Sequence, residues 1–296
     1  MFNPLFTGCA TALVTPFLPG GRLDEKALRG LIARQVEAGA DALVLLGTTG
    51  EPCTLSLSER QRVLEIGLEE VNGSIPIIAG TGANNTEHAI QYAKQAQKLG
   101  VTGQLSVTPY YNRATQTGLL RHFTAILEAC DLPMIVYNVP GRTGMHMTAS
   151  TVEKLSRLKG IAGIKEASGN LGLTADILAL TSGTFPVYCG NDDQILPMMA
   201  MGAVGAISVV SNVVPAETRL LTEACLSGDF DAARMLQIKL LPLIRALFSQ
   251  VSPIPAKAAL SMMGLIQDEL RLPLTPMEEP HREALKNELH ALKLMD

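Results

Sequence analysis

Lys165 ends an unbroken run of small and apolar residues, GIAGIKEAS over 160–168. Such a lysine has two readings. Its amine can reach back to water from an ordinary strand end, or it can lie in a dry interior, where desolvation disfavours the ammonium and lowers its pKa. A neutral amine attacks a carbonyl carbon to give a carbinolamine and then an imine, and the protonated imine is an electron sink for loss of a neighbouring C–H proton. That chemistry needs protons shuttled where bulk water is scarce. Other side chains could serve it: Tyr137 in PMIVYN (133–138), Thr48 and Thr49 in GTTGE (47–51), Tyr110 and Tyr111 in TPYYN (108–112), and Arg142 in YNVPGRTG (137–144). A phenol relays protons, a hydroxyl pair binds a phenol or a carboxylate, and a guanidinium grips a carboxylate bidentately. Taken singly, each has a plainer use: tyrosines cap cores with the hydroxyl in water, threonines make turns, and arginines sit in surface ion pairs.

What decides between these uses is the scaffold. Short apolar runs recur at 9–14, 42–47, 75–80, 104–109, 133–138, 161–167, 186–190 and 205–210. They are apolar on both faces, as strands of a covered parallel sheet are. Stretches with helical spacing lie between most of them, at 24–38, 57–71, 86–99, 116–129 and 148–158. Ser56 or Ser58, Asn85 or Thr86, and Thr148 are suitable N-caps, and Gly39, Gly100 and Gly160 suitable stops. An open doubly wound sheet and a closed barrel both fit this alternation. Eight regular units in about 215 residues without a dinucleotide fingerprint favour a (β/α)8 TIM barrel. Past Pro215 only helices are expected, at 217–226, 229–247, 255–263 and 279–294, so residues 1–215 are read as the barrel and 216–296 as a helical extension packed on it. In such barrels the site lies at the C-terminal strand ends. Lys165 then ends strand six and Tyr137 strand five, side by side. Glu166 should face the other way in a structural role.

Composition narrows the class. Hydrophobic residues make up 47% of the 296 residues and charged residues 18%, which fits a globular protein with a sizeable core. The net charge of −4, with no basic block, leaves no footprint for nucleic acid. The five cysteines are scattered and never spaced CxxC, as expected of reduced thiols in a cytoplasm. No basic leader precedes the apolar residues near the N-terminus, so no signal peptide is expected. The uncharged stretch between Asp193 and Glu217 is broken by Pro197, Gly202, Gly205 and Pro215 and reads as a buried short helix and strand rather than a membrane span.

GTTGE, TPYYN, YNVPGRTG and GIKEASGN, in this order and at these intervals, resemble the dihydrodipicolinate synthase (4-hydroxy-tetrahydrodipicolinate synthase) family. That family belongs to the class I pyruvate-dependent aldolases, which include N-acetylneuraminate lyase. The resemblance runs from GCATALVTPF near the start to SPIPAKAAL and LRLPLTP near the end. It implies a lyase that condenses pyruvate with L-aspartate 4-semialdehyde to 4-hydroxy-tetrahydrodipicolinate, on the diaminopimelate and lysine pathway. It further implies that Lys165 forms the Schiff base, Tyr137 relays protons and Thr48 links Tyr137 to Tyr111, which reaches into a neighbouring subunit's site. Thr49 would hold the pyruvate carboxylate and Arg142 that of the semialdehyde, with backbone near Gly190 and Ile207 completing the pocket. No metal or organic cofactor is implied, in keeping with a sequence that has no His/Cys/Glu ligand cluster and no P-loop. The implied assembly is a homotetramer built as a dimer of tight dimers.

Sialic acid lyases share the glycine-rich loop, the YN-x-P tyrosine and the lysine but lack the arginine of VPGRTG. Arg142 therefore separates this reading from another pyruvate-imine aldolase such as N-acetylneuraminate lyase, and retention of the nucleophile with its relay argues against a catalytically silent ligand-binding homologue. The family's lysine-inhibited members bind lysine between subunits. Here Pro52 and Cys53 replace small or polar residues, Leu57 and Arg60 stand where histidines occur and His88 where a glutamate does, while Asn84 and Tyr110 match. An added arginine and a lost carboxylate suit a cationic ligand poorly, so weak or absent lysine inhibition is expected.

Overall fold

The computed structural model describes residues 3–295. Met1, Phe2 and Asp296, at the outer ends of the expected barrel and helical regions, lie outside the described residues.

Eight parallel strands close on themselves: β1 (Gly8–Ala12), β2 (Ala42–Leu45), β3 (Ile77–Gly80), β4 (Gly103–Val107), β5 (Met134–Asn138), β6 (Ile161–Glu166), β7 (Val187–Cys189) and β8 (Gly205–Ser208). Each pairs with its sequence neighbours, and β8 pairs with β1 through Gly8↔Gly205 to Thr11↔Ser208, which shuts the barrel. The open-sheet alternative is thereby removed.

Helices follow the strands: α1 (Glu25–Glu37), α2 (Leu57–Val71), α3 (Thr86–Leu99), α4 (Gln116–Ala129), α5 (Ala149–Ser156), α6 (Leu171–Leu180), α7 (Ile195–Ala200) and α8 (Pro215–Leu226). Their starts are chemically specified. Ser56 caps α2 in a reciprocal box with Glu59, Asn85 caps α3 and Thr148 caps α5, each side chain accepting from an otherwise orphaned backbone N–H. Gly100 ends α3 at φ 86°, a left-handed conformation that costs glycine nothing.

Side-chain alternation divides the interior into two cores. Ile164, Val136, Leu43 and Cys189 point outward into the layer between strands and helices. Ile135, Tyr137, Tyr188, Ile207 and Val44 point inward and fill the barrel. The N-terminal mouth of the barrel is stoppered: Phe6 stacks on Tyr188 at 4.4 Å between centroids, and the Tyr188 hydroxyl donates to the Phe6 carbonyl at 2.9 Å.

Three helices follow α8, namely α9 (Phe230–Leu247), α10 (Ile254–Met262) and α11 (His281–Ala291). Among the elements too short to show any periodicity, two matter here. One is an antiparallel ladder of Phe17–Leu18 on Arg22–Leu23, and the other a single turn at Pro140–Thr143.

Candidate active site

The C-terminal ends of β2, β3, β4 and β5 converge on one cavity of about 290 Å³, whose walls include Thr48, Tyr137, Val139, Arg142, Ser252 and Pro273. Lys165 is not itself a wall residue but meets Tyr137, which is. Register pairs Lys165 with Tyr137 on β5 and Tyr188 on β7, both inward-facing, so the lysine side chain enters the barrel. It is 5% exposed, and its Nζ lies 4.5 Å from the centroid of the Tyr137 ring.

Burial pulls the Lys165 ammonium down to about 8; the Asp192 carboxylate opposes the shift and the Arg142 guanidinium adds to it. Far more of the amine is then neutral near physiological pH than an exposed lysine achieves, although the ammonium still predominates. Tyr137 is shifted the other way. Burial pushes its phenol up to about 12, against the Arg142 charge and a hydrogen bond with Thr48, so the phenol remains protonated and able to donate. An amine that can lose its proton and a phenol that keeps its own thus share one dry chamber.

Local structure explains the placement. Thr48–Gly50 is a single 3-10 turn directly after β2, which lifts Thr48 to the rim while Thr49 is buried at 4% exposure. Arg142 stands on the Pro140–Thr143 turn after β5, its Nη2 donating to the Ser252 carbonyl at 3.2 Å. Gly190 follows β7, and a Cβ there would come within 2.9 Å of Lys165 Cε. A larger residue would crowd the nucleophile and also Ala167 Cβ, which the same atom meets at 2.7 Å. Ile207 on β8 is fully buried in the inner core.

Not every expected residue is gathered here. Tyr111 lies outside the cavity wall, 90% exposed at φ 72°, with its backbone N–H donating to Thr143 O at 3.3 Å. Tyr110 lines the cavity, its hydroxyl 3.9 Å from Cys53 Sγ. Glu166 faces away from the chamber: its carboxylate accepts from Asn138 Nδ2 at 2.8 Å and from the Ser168 N–H, which ties β5 to β6.

Three buried charged residues close to the site were not among the expected ones. Asp192 follows β7 and accepts from the Val209 and Val210 N–H groups at 3.0 and 2.7 Å. Glu51 and Lys257 form an ion pair at 2.6 Å with both side chains at or below 1% exposure. Their sequence signals were slight: an acid closing GTTGE, an acid pair in GNDD, and one lysine inside the apolar stretch SPIPAKAAL.

Comparison with known proteins places this geometry. The model of the Dihydrodipicolinate synthetase family matches residues 5–292. The chain belongs to that family. Among its relatives, a 4-hydroxy-tetrahydrodipicolinate synthase from Caldicellulosiruptor saccharolyticus is 46% identical over 286 residues, covering 97% of each protein. A dihydrodipicolinate synthase structure from Thermotoga maritima superposes with a TM-score of 0.96 at 44% identity, covering 98% of this chain and all of that one. The chloride-inhibited dihydrodipicolinate synthase of Acinetobacter baumannii, crystallised with pyruvate, has a TM-score of 0.96 at 42% identity and covers 98% and 99% of the two chains. Membership of the dihydrodipicolinate synthetase family and the closed barrel agree with what the four motifs imply.

Proposed function

We propose that this protein condenses pyruvate with L-aspartate 4-semialdehyde through an imine on Lys165, giving 4-hydroxy-tetrahydrodipicolinate for diaminopimelate and lysine synthesis. The observation that carries the reading is the buried Lys165 amine over the Tyr137 ring, in a chain nearly half identical to synthases of that name.

Lys165 Nζ adds to C2 of pyruvate, and the carbonyl electron pair moves to oxygen, which takes a proton from Tyr137. Water leaves to give the protonated imine. The Tyr137 phenolate then takes a C3 proton to give an enamine, whose C3 bonds to the aldehyde carbon of the second substrate as Tyr137 passes that proton to the aldehyde oxygen. The semialdehyde's own amino group next displaces Lys165 from C2, which closes the ring and frees the amine. Each transfer uses a proton already inside the chamber, where bulk water would compete.

Thr48 orients the Tyr137 hydroxyl. Thr49, with backbone at Gly190 and Ile207, receives the pyruvate carboxylate, and Arg142 receives the carboxylate of the semialdehyde in bidentate fashion. The imine itself supplies the electron sink, so the proposal calls for no metal or organic cofactor. Tyr111 is assigned to a neighbouring subunit's relay in a tetramer of tight dimers; a phenol held out at 90% exposure supports that reading. Residues 1–215 carry the chemistry and 216–296 brace it, as the Ser252 contact to Arg142 supports. No helix among the described residues is long and apolar enough to cross a membrane. All five cysteines are free thiols, which supports a cytoplasmic setting.

Borohydride reduction in the presence of pyruvate tests the core of this proposal. The expected product is a single adduct on Lys165, located by peptide mass. An unmodified Lys165 ends the imine mechanism. Turnover with L-aspartate 4-semialdehyde and none with N-acetylneuraminate then separates the synthase from a sialic acid lyase.

A further inference from the structure

Both hydroxyls assigned above sit on the Thr48–Gly50 turn, so whatever holds that turn bears on the reaction. The turn ends on Glu51, a non-glycine residue at φ 53° and ψ 44°. A side chain in that left-handed region persists only where its surroundings over-determine it. Here they do. Glu51 Oε1 accepts from Lys257 Nζ at 2.6 Å, and Oε2 accepts from the Arg271 backbone N–H at 3.2 Å. Lys257 is fully buried, with Nζ 4.2 Å from the centroid of the Phe17 ring, and the Arg271 guanidinium lies 4.4 Å from the same ring. Arg271 Nη1 also donates to Thr54 O at 2.6 Å, which fixes the chain just beyond the turn.

Lys257 comes from α10, 206 residues after Glu51. The stretch just before it supplies the Ser252 carbonyl that receives Arg142, and Val251, Ser252 and Pro253 form part of the cavity wall. One C-terminal segment therefore touches both the hydroxyl turn and the arginine turn. A buried ion pair is a weak source of net stability compared with an apolar pair of the same size. Stability alone is thus a poor account of a charge placed at this point.

We propose that Lys257 is a positioning residue for the reaction: through Glu51 it locks the Thr48–Thr49 turn in register with Tyr137 and the pyruvate subsite. This rests on the catalytic reading of Thr48 given above.

The test is a double variant, Lys257→Met with Glu51→Gln, which removes both buried charges while leaving an acceptor for the Arg271 N–H. It is expected to melt cooperatively and to lose about 10²-fold in kcat, the scale of a misplacement near one ångström. Thr48→Val, expected to lower kcat in the wild-type background, should cost much less in the double variant, because the two changes act on one contact. Wild-type kcat in a folded double variant overturns the proposal. So does a Thr48→Val loss of undiminished size in that background. A silent Thr48→Val in the wild type removes the role of Thr48 itself and the clamp's target with it, whereas failure confined to the double-variant arm removes the clamp alone. If the first pair melts below assay temperature, Lys257→Leu with Glu51→Gln is read by the same two measurements.

Discussion

At Lys165 the protein accepts a thermodynamic cost for reactivity. Below pH 8 the folded state must hold a buried ammonium, whereas the unfolded chain holds an exposed one. With a folded value of about 8 against an ordinary 10.5, the unfolded chain binds more protons between those pH values, so stability rises with pH across that window. Lys165→Met should therefore raise the melting temperature at pH 7, by at most about 3 kcal/mol of stability, and the advantage should shrink toward pH 10. Calorimetry at the two pH values checks this. The same variant should abolish turnover. In the wild type, kcat/KM for pyruvate should climb with pH and level off above about 8, as the free amine becomes the dominant form. Tyr137→Phe should lose roughly 10²–10⁴-fold in kcat, the usual worth of a positioned proton carrier. The lysine and the tyrosine were legible in the sequence because each ends an apolar strand, and strand ends are where barrels do chemistry. The Glu51–Lys257 pair was not, since neither residue has a local pattern and the partners lie 206 residues apart.

Among the elements, the strands were legible because both their faces are buried, which turns each into a compact apolar run. The helices were legible through caps such as Ser56 and Asn85. Where tertiary contacts decide, that legibility ends: the two-residue ladder at Phe17 carries no period, yet its ring packs against Lys257 and Arg271. The start of α3 offers a further test. His122 on α4 is 7% exposed, with Nδ1 at 2.9 Å from the Thr86 hydroxyl, and burial pulls its imidazolium down to about 4. The unfolded chain then binds the extra proton between about pH 6.5 and 4, so this histidine makes the fold less stable as pH falls through that window. His122→Leu should flatten the acid side of the stability curve measured by denaturant titration. Just after β7, Gly190→Ala should lower kcat and the melting temperature together, because the added methyl meets Ala167 Cβ at 2.7 Å and Lys165 Cε at 2.9 Å.

For the whole molecule, the role proposed for the exposed Tyr111 would make assembly part of catalysis. Tyr111→Phe should lower turnover, and mixed oligomers of Tyr111→Phe with Lys165→Ala subunits should exceed the activity of either alone. Wild-type rates in Tyr111→Phe would show that the ring only packs. Regulation is tested at the same scale. Arg60, 3% exposed, donates to Gly80 O at 2.6 Å and lies 4.0 Å over the Tyr92 ring, with Cys53 and Tyr110 nearby. A fixed guanidinium there repels an incoming ammonium. Initial rates should accordingly be insensitive to sub-millimolar L-lysine; inhibition in that range would reverse the expectation.

The span between Glu51 and Lys257 also has a meaning in time. Synthesis delivers the chain from its N-terminus, so β8 and the closed barrel are available before α10 exists. A nascent protein would own its amine, its phenol and its hydroxyls while the turn bearing two of them is still untethered and Arg142 lacks the Ser252 carbonyl. On the reading proposed above, the site is complete only once residues 252–271, which hold both turns, have been made.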